Sequence, residues 1–213
     1  VGIAIGPSAI VSPRDKALRT GFDTPRGLHW DGSNLYISQG NDGNSRVYKV
    51  DSTGVISQIH SNTSCDQPHG VTVVGTNLYV ACYDSNHVRM VDLGTLTAST
   101  FAGTGAAGDP ANMNESTPTD ATNGVLRGPL GITSDASGNI YLSEYGGCRI
   151  RMYNGSGGPI TLYGSYVLNN GMQRIILGTS GAASCTNTNG EPVDLTATAA
   201  SSSPTMSPSS TIL

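Results

Sequence analysis

The chain has 213 residues, of which 37% are hydrophobic and only 12% charged, with a formal net charge of −4. There is apolar material for a real core, but no basic footprint with which to hold nucleic acid. Glycine contributes 28 residues, and with the many Asn, Ser and Thr residues it indicates frequent tight turns, as an all-β repeat fold requires.

No apolar run approaches the ~20 residues of a membrane helix, so no membrane span is expected. The first six residues lack a basic start and a long apolar stretch, so they do not read as a signal peptide. A chain that opens on Val1 reads as processed, or as part of a longer product.

Repeats dominate the chain order. Residues 1–23 are expected to be an N-terminal segment compatible with the last strand of a preceding unit. The first unit, residues 24–66, opens with Pro25-Arg26-Gly27. It continues through a Gly/Ser/Asn turn to Leu35-Tyr36-Ile37, then to strands predicted at 47–50 and 55–59. The second unit, residues 67–127, opens with Pro68-His69-Gly70, has Leu78-Tyr79-Val80 at its centre and predicts strands at 88–91 and 97–102. A long linker over 103–127 completes it. The third unit, residues 128–203, opens with Pro129-Leu130-Gly131 and repeats Ile140-Tyr141-Leu142, then strands at 150–153 and 174–178. An insertion over about 159–172 is expected to fold as a small hairpin, and a linker follows at 178–203. Residues 204–213 read either as the start of a further unit or as a Ser/Thr/Pro-rich tail, with O-glycosylation one use of such composition.

Each unit has the same logic. The proline cannot donate to a β ladder, so it sits at the start of a strand. The glycine two residues on allows close backbone approach to a neighbour, and a short turn then joins two short β runs into a hairpin. Four antiparallel strands in roughly 43 residues make a β-propeller blade. The expected fold class is therefore all-β: four-stranded antiparallel propeller blades, incomplete or part of a larger propeller. Three blades do not close a ring that needs four to eight. The chain thus reads as a piece of a longer array, or as one completed by another chain.

The Pro-x-Gly opening, the Asn-apolar-Tyr-apolar centre and the third strands beginning Arg46-Val47, His87-Val88 and Arg149-Ile150 together resemble the NHL family of propellers over residues 24–181. The linkers beginning Phe101-Ala102-Gly103-Thr104-Gly105 and Leu177-Gly178-Thr179 are similar to those of long extracellular NHL arrays and of teneurin-like proteins. The chain is less similar to WD40 repeats, because Trp30-Asp31 lies in a first strand.

Four cysteines occur without a CxxC spacing, which argues against a zinc or thioredoxin-type role. Cys65 precedes a first strand and Cys82 ends the second strand of the same unit, so antiparallel pairing brings them together. Cys148 and Cys185 are matched by the same reasoning in the third unit. The other two pairings, or free buried thiols, remain open alternatives. Sequons at Asn62, Asn114 and Asn154 fall in segments read as loops, where glycans must sit. Even cysteines, loop sequons and low charge favour an oxidising, extracellular setting, secreted or at a cell surface.

Several residues invite a chemical reading. His29 and His69 lie on first strands that would line a channel, and some NHL-type lyases hold zinc through inward-facing histidines, but no third histidine matches. Glu144 is the one acid placed to serve a propeller enzyme. Arg46, Arg89, Arg149 and Arg151 on third strands could form a stripe for RNA; with so few cations, salt bridges to the neighbouring blade are expected instead. Asp51 and Asp92 recur at the exit of third strands, which indicates turn chemistry.

No catalytic, cofactor-binding or metal-binding residue is assigned, and no cofactor is expected. The expected function is a glycosylated extracellular scaffold, part of a filament or surface coat, that contacts other chains or further blades. Contacts are expected on the face where the long linkers emerge. The alternatives are a lyase or lactonase with a metal in the central channel, and a soluble glycan- or peptide-binding module.

Overall fold

A computed structural model describes residues 21–40, 45–61, 64–108 and 119–178. Three antiparallel sheets follow one another along the chain. The first has the order β1 (Pro25–Trp30), β2 (Leu35–Gln39), β3 (Arg46–Val50) and β4 (Ile56–Ser61). The second repeats this with β5 (Pro68–Val74), β6 (Asn77–Cys82), β7 (His87–Asp92) and β8 (Ala98–Ala102). The fold is all-β, built of propeller-type blades, and among the described residues the only helical turn is a 3₁₀ segment at Ala121–Asn123.

The third sheet departs from the simple meander. Its order is β10 (Pro129–Ser134), β11 (Ile140–Glu144), β12 (Arg149–Tyr153), β15 (Met172–Leu177) and then β9 (Thr119–Asp120). The two residues of β9 come from the long linker over 103–127. They pair with β15 through Met172–Asp120 and Gln173–Thr119, so part of that linker covers the outer edge of the blade. Covering an edge removes unpaired backbone groups that would template another chain. The insertion forms the separate hairpin β13 (Ile160–Leu162) and β14 (Tyr166–Leu168). Arg174 of β15 lies over the Tyr166 ring at 4.2 Å, and the Tyr163 hydroxyl donates to the Ile176 carbonyl, so the hairpin lies on its own blade.

Every inner strand carries a bulge at Pro-x-Gly: the register shifts between Pro25 and Leu28, between Pro68 and Val71, and between Pro129 and Ile132. The glycines explain why. A Cβ on Gly27 would strike the backbone carbonyl of His69 in the next blade, and one on Gly70 would lie 2.7–2.8 Å from the Ile132 nitrogen and Leu130 oxygen. The bulge frees the Gly27 N–H, which donates to Ser38 Oγ at 2.8 Å; Ser143 accepts from Gly131 at the same distance. Ser38 Oγ also donates to the His69 carbonyl, fastening the first blade to the second.

The core lies between blades. Tyr36, Val47 and Ile59 of the first blade bury against Val71, Leu78, Val80 and Val91 of the second. Tyr79, Ala81 and Val88 of the second bury against Ile140 and Leu142 of the third. Alternation assigns the two faces of each blade to opposite neighbours, the period-2 rule applied twice. Phe101 packs edge-on to Tyr79 at 4.7 Å and to Tyr153 at 4.4 Å, joining the second and third blades.

Cys65 and Cys82 are disulfide-bonded, with their Cα atoms 4.9 Å apart. Cys148 is disulfide-bonded as well; Cys185, its expected partner, lies outside the described residues, as do Asn62 and Asn114.

The expectation for Asn154 is corrected. This residue is 0% exposed. Its Nδ2 donates to the carbonyls of Gly158 and Leu168 at 2.8 and 2.7 Å, and its Oδ1 accepts from the backbone and hydroxyl of Ser156. Both amide protons are used to tie the β13–β14 hairpin to the blade, and the folded chain has no room for a glycan there.

Candidate functional site

Glu144 does not face a channel. It is fully buried and accepts from Arg149 at 2.7 Å and from Arg151. Both arginines belong to its own blade, which corrects the expected bridges to a neighbouring blade. Burial pulls the Arg151 pKa down, against the opposing attraction of Glu144. Glu144 Oε2 also accepts the Arg127 N–H at 2.9 Å, and Arg151 donates to the Val125 carbonyl at 2.9 Å. The triad thus holds the incoming linker, a structural task. Arg89 donates to Thr100 of its own blade at 2.7 Å.

Aspartates make turns, as their recurrence suggests. Asp51 accepts from Thr53 and Val55, and Asp92 from Gly94 and Thr95. Asp31 and Asp135 have the same role at the turn between the first and second strands of their blades. Asp31 accepts from Ser33, Asn34 and the Tyr36 hydroxyl; Asp135 accepts from Ser137, Asn139 and the Tyr141 hydroxyl. Burial opposes ionisation of Asp31, yet these bonds outweigh it and hold the carboxyl down at about 2. Tyr36 is pushed up to about 12, by burial first and then by Asp31.

His29 and His69 stand near opposite ends of their strands. His29 lies by the β1–β2 turn, its ring 6.3 Å from Tyr36, and burial lowers its pKa against the charge of Asp31. With Trp30, Asp31, Ser33, Asn34, Val73 and Gly75 it lines a shallow depression of about 500 Å³. His69 lies near the start of β5. Among the described residues no three His, Cys, Asp or Glu side chains come together.

The opposite face carries a more organised surface. The turns leaving β6 and β11 fold back on the segments that enter their blades: Tyr83 N–H donates to Gln67 at 3.1 Å and Tyr145 N–H to Gly128 at 2.9 Å. This fixes Tyr83 and Tyr145 at one repeat position, while the inner strands bring Arg26 and His69, the middle residues of successive Pro-x-Gly motifs, side by side. Arg26 lies 2.7 Å from His69 Nε2. Because arginine only donates, Nε2 accepts and the imidazole is neutral with its proton on Nδ1. Burial, then the Arg26 charge, lowers the His69 pKa against a counteracting pull from Asp84. Tyr83 lies 5.3 Å from the His69 ring and 6.3 Å from Tyr145, which is 63% exposed. Asp84 accepts from Gln67 at 2.6 Å beside them.

Arg26, His69, Tyr83 and Tyr145 thus form one band across three blades. Sequence reading selected the linker face but missed this band. The signal was present: a Tyr immediately after the residue opposite each proline in two units.

No family model matches the sequence, and no curated protein does. Solved structures that resemble it include the nidogen/laminin complex, with 16% identity over 62% of this chain and 44% of that one and a TM-score of 0.48. A streptogramin B lyase shares 20% identity over 61% and 37%, with a TM-score of 0.42. Virginiamycin B lyase from Staphylococcus aureus shares 17% over 67% and 43%, with a TM-score of 0.44. The chain spans less than half the length of each. The blade assignment rests on the strand order and packing described above.

Proposed function

We propose that this chain is an extracellular propeller scaffold that holds other protein chains through the Arg26–His69–Tyr83–Tyr145 band. The band itself carries the reading. It combines one guanidinium with a row of tilted rings in contact, and arginine and tyrosine are side-chain types enriched where proteins bind each other. Its turns are pinned to the blade entries, so the surface is preorganised. The disulfide at Cys65–Cys82 fits an oxidising compartment. Among the described residues no helix is long and apolar enough to cross a membrane. N-glycans at Asn62 and Asn114, and assembly into a filament or coat, belong to the same proposal.

A photoreactive phenylalanine analogue at position 145, compared with one at position 53 on the opposite face, tests it on cells that secrete the protein. Discrete protein adducts from position 145 alone are expected, and Arg26→Ala with Tyr83→Ala should abolish them. Equal or absent labelling from both positions would remove the band from the argument. Stoichiometric metal in native mass spectra, lost with His29→Ala or His69→Ala, would favour the lyase or lactonase reading.

A further inference from the structure

The contact between consecutive blades has two halves, and among the described residues one of each half is open. On the leading side, a blade presents the glycine of Pro-x-Gly and the tyrosine of the second strand, and in the first and third blades also a serine that bonds the glycine N–H, where the second has Ala81. In the first blade these are Gly27, Ser38 and Tyr36, and all three meet the second blade. On the trailing side, a blade presents the apolar residue after that glycine: Val71, 3% exposed, fits against the first blade.

The third blade repeats the leading half. Gly131 is exposed, Ser143 Oγ accepts from its N–H as Ser38 does from Gly27, and Tyr141, the counterpart of buried Tyr36 and Tyr79, is half-buried. The first blade repeats the trailing half. Leu28, the counterpart of Val71, is 66% exposed, and Trp30 beside it is 59% exposed. Away from these inner edges both outer halves are occupied: Phe22 packs edge-on to Tyr48 at 5.4 Å, and the β13–β14 hairpin lies on the third blade. Among the described residues the open regions are therefore two narrow, complementary edges, one on the first blade and one on the third.

We infer that these edges bind each other between copies: strand β1 of a second copy docks on the Gly131–Ser143 edge of the third blade. The contact repeats the one between the first two blades, whose glycine and tyrosine parts recur between the second and third. Ser143 Oγ takes the place of Ser38 and donates to the Arg26 carbonyl of the second copy, the counterpart of the His69 carbonyl. Leu28 of that copy covers Tyr141. Gly131 permits the approach, as Gly27 and Gly70 do within the chain. Two unlike patches meet, so the contact is heterologous, head to tail. This deepens the scaffold reading by naming one partner, and it rests on that reading only for its biological use.

The test uses the full chain and two variants. Leu28→Glu removes the trailing half and Gly131→Val blocks the leading half. Sedimentation of the wild type across the micromolar range is expected to show self-association. Each variant alone should sediment as a single chain; Leu28→Glu should keep a thermal midpoint close to that of the wild type, while Gly131→Val, whose Cβ would lie 2.8 Å from Ser143 Oγ, should lower it without unfolding the chain. An equimolar mixture of the two should form a pair of limited size, because Gly131→Val keeps a good Leu28 and Leu28→Glu keeps a good Gly131. Trp30 is the sole tryptophan, so its emission should shift to the blue as the wild type is concentrated. A monomeric wild type, or variants whose mixture stays monomeric, would overturn the proposal. Adducts from position 145 in a monomeric wild type would leave the scaffold reading standing while this inference fell.

Discussion

Glu144 and Cys82 occupy the same position in successive blades, each directly across from the proline that opens its inner strand: Glu144 from Pro129, Cys82 from Pro68. From that position each ties down the segment entering its blade, Glu144 through the Arg127 N–H and Cys82 through the bond to Cys65. In the first blade Gln39, across from Pro25, accepts the Asp23 N–H at 3.2 Å. A carboxylate, a disulfide and an amide thus do one job. The repeat keeps the task while changing the chemistry.

Removing the charge at Glu144 should therefore destabilise the third blade. Glu144→Gln keeps the shape but leaves Arg149 and Arg151 as buried charges without their counter-ion. The expected cost is about 3–5 kcal/mol, read as a lower urea midpoint at unchanged slope. Replacing all three, as Glu144→Met with Arg149→Met and Arg151→Met, should cost much less than the single variant, since apolar replacement of a whole buried triad is often neutral. An unchanged midpoint in the single variant would mean the triad contributes nothing.

Cys65→Ser with Cys82→Ser opens a loop that spans 17 residues. For a loop of this size the loss should be about 3 kcal/mol. Thermal melts with and without reductant measure it. The double variant should still respond to reductant, through the bond at Cys148, but less than the wild type does.

The blades were legible in the sequence because each Pro-x-Gly is forced by backbone chemistry: no donor is needed at the proline and no Cβ fits at Gly27 or Gly70. The fifth strand was not. Thr119 and Asp120 are two residues long, too short for a period, and their pairing with Met172 and Gln173 is fixed by tertiary context. The partner of Arg149 was within reach, since Glu144 and Arg149 stand directly across the β11–β12 hairpin, where opposite charges stabilise a pair. Asn154 misled for a physical reason: a sequon after a third strand looks like a loop, but its amide anchors an inserted hairpin. The band from Arg26 to Tyr145 joins equivalent positions of different blades, and only the packing of inner strands brings them together.

Asn154 makes a third stability prediction that doubles as a glycan test. Asn154→Ala takes the side-chain donor from the buried Leu168 carbonyl, at about 1–3 kcal/mol for a buried group left unsatisfied, while Ser156 Oγ still donates to the Gly158 carbonyl at 3.1 Å. Peptide mapping of protein secreted from eukaryotic cells should find glycan at Asn62 and Asn114 and a bare peptide at Asn154. Glycan on Asn154 in folded protein would contradict the buried amide.

Acid should weaken the fold in two stages. The pKa values of His29, His60, His69 and His87 are all lowered, in each case chiefly by burial. For His60 and His87 the nearby Arg89 adds to the effect. Below the ordinary value of 6.5 the unfolded chain therefore binds more protons than the folded one, so stability falls as pH drops from about 7 towards 5. His60→Gln should flatten this stage, because it removes a buried ring that the unfolded state would protonate. The second stage belongs to the turn aspartates Asp31, Asp51, Asp92 and Asp135, all held below the ordinary value, and first to Asp31, whose folded value is about 2 against 3.8 for the free group. The stability it supplies is complete above about pH 4 and is lost as pH falls through 2. Denaturant melts of the wild type and Asp31→Asn should differ at pH 6 and converge near pH 2. A difference that persists undiminished at pH 2 would show that Asp31 acts through its shape in the turn, and that its charge adds nothing.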